Sequence, residues 1–164
     1  MTDVRATADG AADPQPTTVF VVALKPPADA TGKRPENIVP CAYFDGDWQP
    51  VAPNKIDTDK DSNSITFQQQ SHLAADVAAQ LQERGEEPDL DVSLFAAVAK
   101  TLQGTAELPR TFQAIGHDGA TSITIPVDQH TRRGVVLVFR RPVAGAAERL
   151  IATADPEIRN GSGT

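Results

Sequence analysis

The chain is short of the residues that usually announce a function. It holds one cysteine, three histidines, one tryptophan, one tyrosine and only 5% aromatics in 164 residues. A lone cysteine, Cys41, excludes an intramolecular disulfide framework and fits a reducing compartment. Basic residues are outnumbered, 15 Lys+Arg against 22 Asp+Glu, for a formal charge of −7. An acidic surface is repelled by phosphate backbones and anionic lipid within a Debye length, ~8–10 Å, so neither nucleic acid nor membrane is expected as a partner. No stretch approaches the ~18 apolar residues of a bilayer span. The first residues, MTDVRATADGAADPQPTT, contain no apolar run of the kind a secretion signal needs. A cytoplasmic protein, or part of a particle assembled in the cytoplasm, is expected. The phosphate-binding patterns G-x-x-x-x-G-K-[ST] and G-x-G-x-x-G are missing, as is the nucleophile pattern G-x-S-x-G, which leaves nucleotide and acyl-transfer chemistry without a signature.

What remains is heavily punctuated, with 13 Pro and 11 Gly. Residues 1–16 read as a disordered arm and 154–164 as a flexible tail, around one domain at 17–153. Residues 18–25, TVFVVALK, contain the run Val19-Phe20-Val21-Val22-Ala23-Leu24, apolar on both faces, and predict a central strand ended by Pro26-Pro27. Residues 38–44 and 47–51 flank Asp45-Gly46 and predict a hairpin closed by a two-residue turn. Residues 64–69 alternate as a further strand. Ser71 is a candidate cap for a helix to Arg84, with Gly85 as its left-handed stop. A second helix is predicted from about residue 89 to 103, on the stripe Leu90, Leu94, Phe95, Val98 and Leu102. Residues 110–115 and 121–127 predict a hairpin around Gly116-His117-Asp118-Gly119, with Pro126 marking a free edge or a bulge. Residues 134–141 predict a second central strand, and 144–153 a short terminal helix. This order predicts an α+β fold: an antiparallel or mixed sheet of about six strands with an antiparallel helical hairpin on one face.

Four groups of residues bear on function. Asp57, Asp59, Asp61 and Asn63 place oxygens at alternate positions of a loop, the spacing that converges on a hard cation, and resemble the first half of an EF-hand loop. Ser62 stands where that loop needs glycine, and Gln68 where it needs a bidentate Glu. A solvated acidic loop is the competing reading; calcium is the only cofactor the sequence suggests. Tyr43 and Trp48 flank the Asp-Gly turn as an aromatic contact, and the pattern Tyr43-x-x-Gly46-x-Trp48 is similar to turns in phage tail and fibre proteins. A ring beside carboxylates suits a sugar or peptide platform; a tryptophan capping the core is the alternative.

The third group is basic. Residues 1–128 carry 9 basic and 19 acidic side chains, whereas residues 129–164 carry 6 and 3. His130, Arg132, Arg133, Arg140 and Arg141 form a candidate anion- or partner-binding set, since arginine pairs two oxygens of an anion at once. Flanking a strand to keep it soluble is their plainer role. The fourth is Cys41 with His72, His117 or His130 as a base, against a buried strand cysteine. No ionisable set shows the local spacing of a known mechanism. The sequence therefore predicts a non-enzymatic structural or protein-interaction module, in self-assembly or with a protein partner, as in a phage particle or bacterial assembly. The alternatives are a small hydrolase or transferase taking an anionic substrate on the arginines, and a calcium-stabilised adhesion or carbohydrate-binding module.

Overall fold

A computed structural model describes residues 13–59, 61–103, 111–115, 121–145, 148–153 and 156–161. Two sheets face each other and a single helix, among the described residues, covers one of them. The first sheet has the order β3-β2-β1-β5-β8, from β1 (Thr17–Ala23), β2 (Cys41–Phe44), β3 (Pro50–Val51), β5 (Ser64–Gln69) and β8 (Ser122–Pro126). The second has the order β4-β11-β9-β6-β7, with β10 also on β9. It comprises β4 (Ile56–Asp57), β6 (Ser93–Gln103), β7 (Thr111–Ile115), β9 (Thr131–Arg141), β10 (Arg149–Ala152) and β11 (Glu157–Asn160). Both sheets are mixed: β1 pairs β5 in parallel and β4 pairs β11 in parallel.

Period-two alternation sorts the side chains into layers. Val19, Val21 and Ala23 of β1 face the second sheet, as do Ile65 and Phe67 of β5 and Ile123 and Ile125 of β8. They meet Leu94, Ala97 and Ala99 of β6 and Val135, Leu137 and Phe139 of β9, forming the main core. The opposite face of β1 and β2 offers Val22, Ala42 and Phe44 to Val77 and Leu81 of α1 (Ala75–Glu83). That two-sided burial is why residues 19–24 read as continuously apolar, and β1 is the middle strand of its sheet. Each fully buried Val or Leu contributes on the order of 1.5–3 kcal/mol. The outer face of the second sheet carries Val98, Leu102 and Leu150, exposed at 36, 49 and 56%.

The α+β expectation with a helical hairpin is overturned. The first helix exists but begins at Ala75, and Ser71 lies outside it. Gly85, at φ 69°, does end it, with the Glu86 amide donating to the Leu81 carbonyl at 2.9 Å. The expected second helix is the strand β6. Its register against β9 shifts between Leu94 and Ala96, a β-bulge that moves the inward phase from Leu94 to Ala97 and Ala99. One extra residue turns a spacing of two into a spacing of three, which imitates a helical stripe. The stripe residues Leu90, Val98 and Leu102 are exposed.

Other expectations fall for similar reasons. Residues 111–115 and 122–126 do not form a hairpin: β7 pairs β6 in one sheet and β8 pairs β5 in the other. The Asp45-Gly46 turn is a five-residue loop, since Phe44 pairs Pro50. Asp45 Oδ1 accepts the Asp47 and Gln49 amides, both at 2.9 Å, and Trp48 rather than Gly46 takes positive φ, 60°. The expected terminal helix is β10, and the expected tail supplies β11. β10 and β11 both pair antiparallel with β9, Ala152 opposite Val138 and Glu157 opposite Gly134, and Thr153 Oγ1 accepts the Leu137 amide at 3.0 Å. Residues 1–12 of the arm expected at 1–16, and the expected turn Gly116-His117-Asp118-Gly119, lie outside the described residues.

Candidate functional site

Strands β1 and β9 define two poles. Thr17 and Thr131 begin at one pole; Lys25 and Arg141 leave at the other. The expected arginine set is divided between them, because eleven residues of strand span roughly 33 Å. Alternation divides it again. Arg133 points inward and is fully buried, donating Nη1 to the Pro126 carbonyl at 2.9 Å. Burial lowers its pKa, and the charge of Asp128 opposes that shift. Arg132 lies on the outer face, 3.4 Å from Glu157. Arg140 pairs Glu148 at 3.1 Å and stacks over the Phe95 ring at 4.4 Å. His130 is exposed in a turn at φ 60°. Only Arg141 enters a cleft.

That cleft holds about 570 Å³, within the usual range for ligand pockets, and sits at the pole where β1 ends and β9 gives way to β10. Its cations come from four separate places: Lys25 after β1, Arg34 from the following loop, Arg141 at the end of β9 and Arg149 at the start of β10. Pro26, Pro35, Pro142 and Val143 form apolar walls. Prolines suit such walls because they fix the chain without presenting an amide that must be satisfied.

The charges are graded by exposure. Asp89, with its side chain 1% exposed, receives Arg141 Nη2 at 2.6 Å and also accepts the Asp91 amide at 3.1 Å. This pair fixes the back of the cleft. At the rim, Arg149 meets Glu36 at 2.6 Å with both side chains at least half exposed, and Arg34 meets Glu87 at 3.2 Å. Lys25 also bonds Glu87. The Arg149 hydrogen bond holds the Glu36 carboxyl below the usual range, and the Lys25 bond does the same for Glu87. Exposed pairs of this kind are weak and open readily. Among the described residues, no Ser, Thr, Cys, His or Tyr lines the cleft.

The other expected sites are scattered. Cys41 packs against the main core; burial pushes its thiol pKa up, so it stays protonated near neutral pH. His72 and His130 lie on different elements, both exposed. Tyr43 is buried edge-on to Phe67, and burial pushes its phenol up as well. Trp48 stacks on Phe20, ring centroids 4.3 Å apart, over the outer face of the first sheet. Asp57 belongs to β4 beside Arg159, while Asp59, Asp61 and Asn63 are exposed in the loop that follows. Ser62 is buried and ties that loop to Thr17 and Ser64. Among the described residues, no three His, Cys, Asp or Glu side chains are grouped to hold a metal. No described helix is long and apolar enough to cross a membrane.

Sequence reasoning missed Lys25, Arg34, Glu36, Asp89 and Arg149 as one site. The available signal was charge set beside proline, Lys25-Pro26 and Arg34-Pro35-Glu36. No family model, curated protein or solved structure matches the chain.

Proposed function

We propose that the protein is a non-catalytic interaction module that receives an anionic, carboxylate-bearing segment of a protein partner in the cleft of Lys25, Arg34, Arg141 and Arg149. The observation that supports this reading most is the makeup of that cleft. Four cations converge on it in a chain of net charge −7, and among the described residues its lining holds no hydroxyl, thiol or imidazole. Its two lining carboxylates, Glu36 and Asp89, are both engaged by arginines. Catalysis asks for a nucleophile or base beside the charge-binding groups. Binding asks only for charges, walls and rim pairs that open for an incoming anion. Arginine forks match carboxylates in pairs, and the buried Asp89 holds one fork in place.

The test is calorimetric titration of the full chain with hexaglutamate. Saturable binding is expected, weakened between about 50 and about 300 mM salt as screening grows. Arg34→Ala/Arg149→Ala should weaken it roughly tenfold or more, about what two lost ionic contacts supply. Equal binding by this variant, or no binding by the parent chain at millimolar peptide, overturns the reading.

A further inference from the structure

We infer that the group received by the cleft is the carboxylate set Asp57, Asp59 and Asp61 of a second copy, so that the chain associates head to tail. The inference rests on the cleft reading above and adds the identity of the occupant. Asp57, Asp59 and Asp61 are exposed, and among the described residues none has an ion-pair or side-chain hydrogen-bond partner. Three carboxylates within five residues are opposite in charge to a cleft that presents cations from four short segments. The loop is held outward from behind: Thr17 Oγ1 accepts the Asp59 amide at 2.7 Å, and Asn160 Nδ2 donates to the Ser62 carbonyl at 2.9 Å. Lys55, Arg132 and Arg159 share this pole, but Arg132 and Arg159 are engaged by Glu157 at 3.4 and 2.9 Å.

The topology prevents the loop from reaching its own cleft. The loop leaves β4 beside Arg159 and packs against Thr17 at the start of β1, whereas the cleft lies where β1 and β9 end. The two are separated by roughly the length of β9, about 33 Å. An opposite-charge contact between opposite poles can form only between copies. Such a contact is heterologous and yields open chains or a closed ring according to the rotation between copies.

Sedimentation velocity on the full chain tests this. The parent chain should show association that grows with concentration and is lost at high salt. Two variants, Asp57→Asn/Asp59→Asn/Asp61→Asn and Arg34→Glu/Arg149→Glu, should each be monomeric with melting temperatures near the parent's, since every altered side chain is largely exposed. Mixed in equal amounts they should form a dimer and nothing larger, because the mixture retains one working loop and one working cleft per pair. Oligomers that survive in either variant alone, or a mixture that stays monomeric, overturn the inference. A parent chain that stays monomeric while still binding hexaglutamate overturns the head-to-tail occupant and leaves the cleft reading standing. Absence of both overturns the two together.

Discussion

Replacing Asp89 by alanine tests whether the back of the cleft is fixed by a buried ion pair. The carboxylate is 1% exposed and makes two contacts, Arg141 Nη2 at 2.6 Å and the Asp91 amide at 3.1 Å. Removing one partner of a fully buried pair costs about 3–5 kcal/mol. Arg141 is 32% exposed, so water recovers part of its charge and the expected cost falls to about 2–3 kcal/mol. For a chain of this size that lowers Tm by roughly 5–10 °C. Asp89→Asn keeps an acceptor for the Asp91 amide and should recover about 1 kcal/mol of the loss. Arg141→Met leaves Asp89 buried without its cation and should cost a similar amount, while the double variant should cost less than the two singles added. The assay is urea unfolding followed by circular dichroism. If Asp89→Ala unfolds within about 0.5 kcal/mol of the parent, or the singles simply add, the pair does not hold the cleft and the reasoning fails.

Trp48→Ala should destabilise by about 2–3 kcal/mol through loss of the stack on Phe20, whereas Trp48→Gly should lose about 1 kcal/mol less because glycine accepts φ of 60° without strain. Unchanged urea midpoints in both variants would make Trp48 an exposed platform instead. Cys41 and Tyr43 both have raised pKa values, so the folded state keeps them neutral while the unfolded chain ionises. Their stabilisation is fully present below the thiol's ordinary 9.0 and is lost as pH climbs above it toward the folded values. Tm should therefore fall above that pH, less steeply in Cys41→Ala, and native thiol should react slowly with Ellman's reagent; fast reaction at neutral pH contradicts the raised thiol pKa. Calcium titrated calorimetrically should give no saturable heat at millimolar ion, because Asp57, Asp59 and Asp61 are not gathered with a further ligand. A saturable isotherm abolished by Asp59→Asn would restore the calcium loop.

The internal strands were legible because burial writes itself into composition: residues 19–24 and 135–139 are apolar throughout, β1 is covered on both faces, and β9 lies inside its sheet with its outward valines half-buried. The helix after Gln70 was legible through Val77 and Leu81 and the left-handed Gly85. β6 was not. Its alanines, Ala96, Ala97 and Ala99, are good helix formers chosen for close sheet packing, and its bulge converts alternation into a helix-like spacing. β10 and β11 were hidden because a segment as short as Arg149–Ala152 or Glu157–Asn160 needs only one inward apolar side chain, Ile151 or Ile158. The arginine set is divided for a simpler reason. Neighbours along a strand point to opposite faces, and ten residues of strand carry a side chain to the other end of the molecule. The cleft is assembled from residues 25 to 149, a separation in sequence that no local spacing encodes.

An anion should settle at the pole where β1 and β9 end. Hexaglutamate titrated into the ¹⁵N-labelled chain should shift backbone amides of Lys25, Arg34, Glu36, Arg141, Val143 and Arg149, with the arginine Nε signals of residues 34, 141 and 149 moving together. Shifts centred on His130, Arg132 and Arg159 at the other pole, or a spectrum unchanged at millimolar peptide, would contradict it.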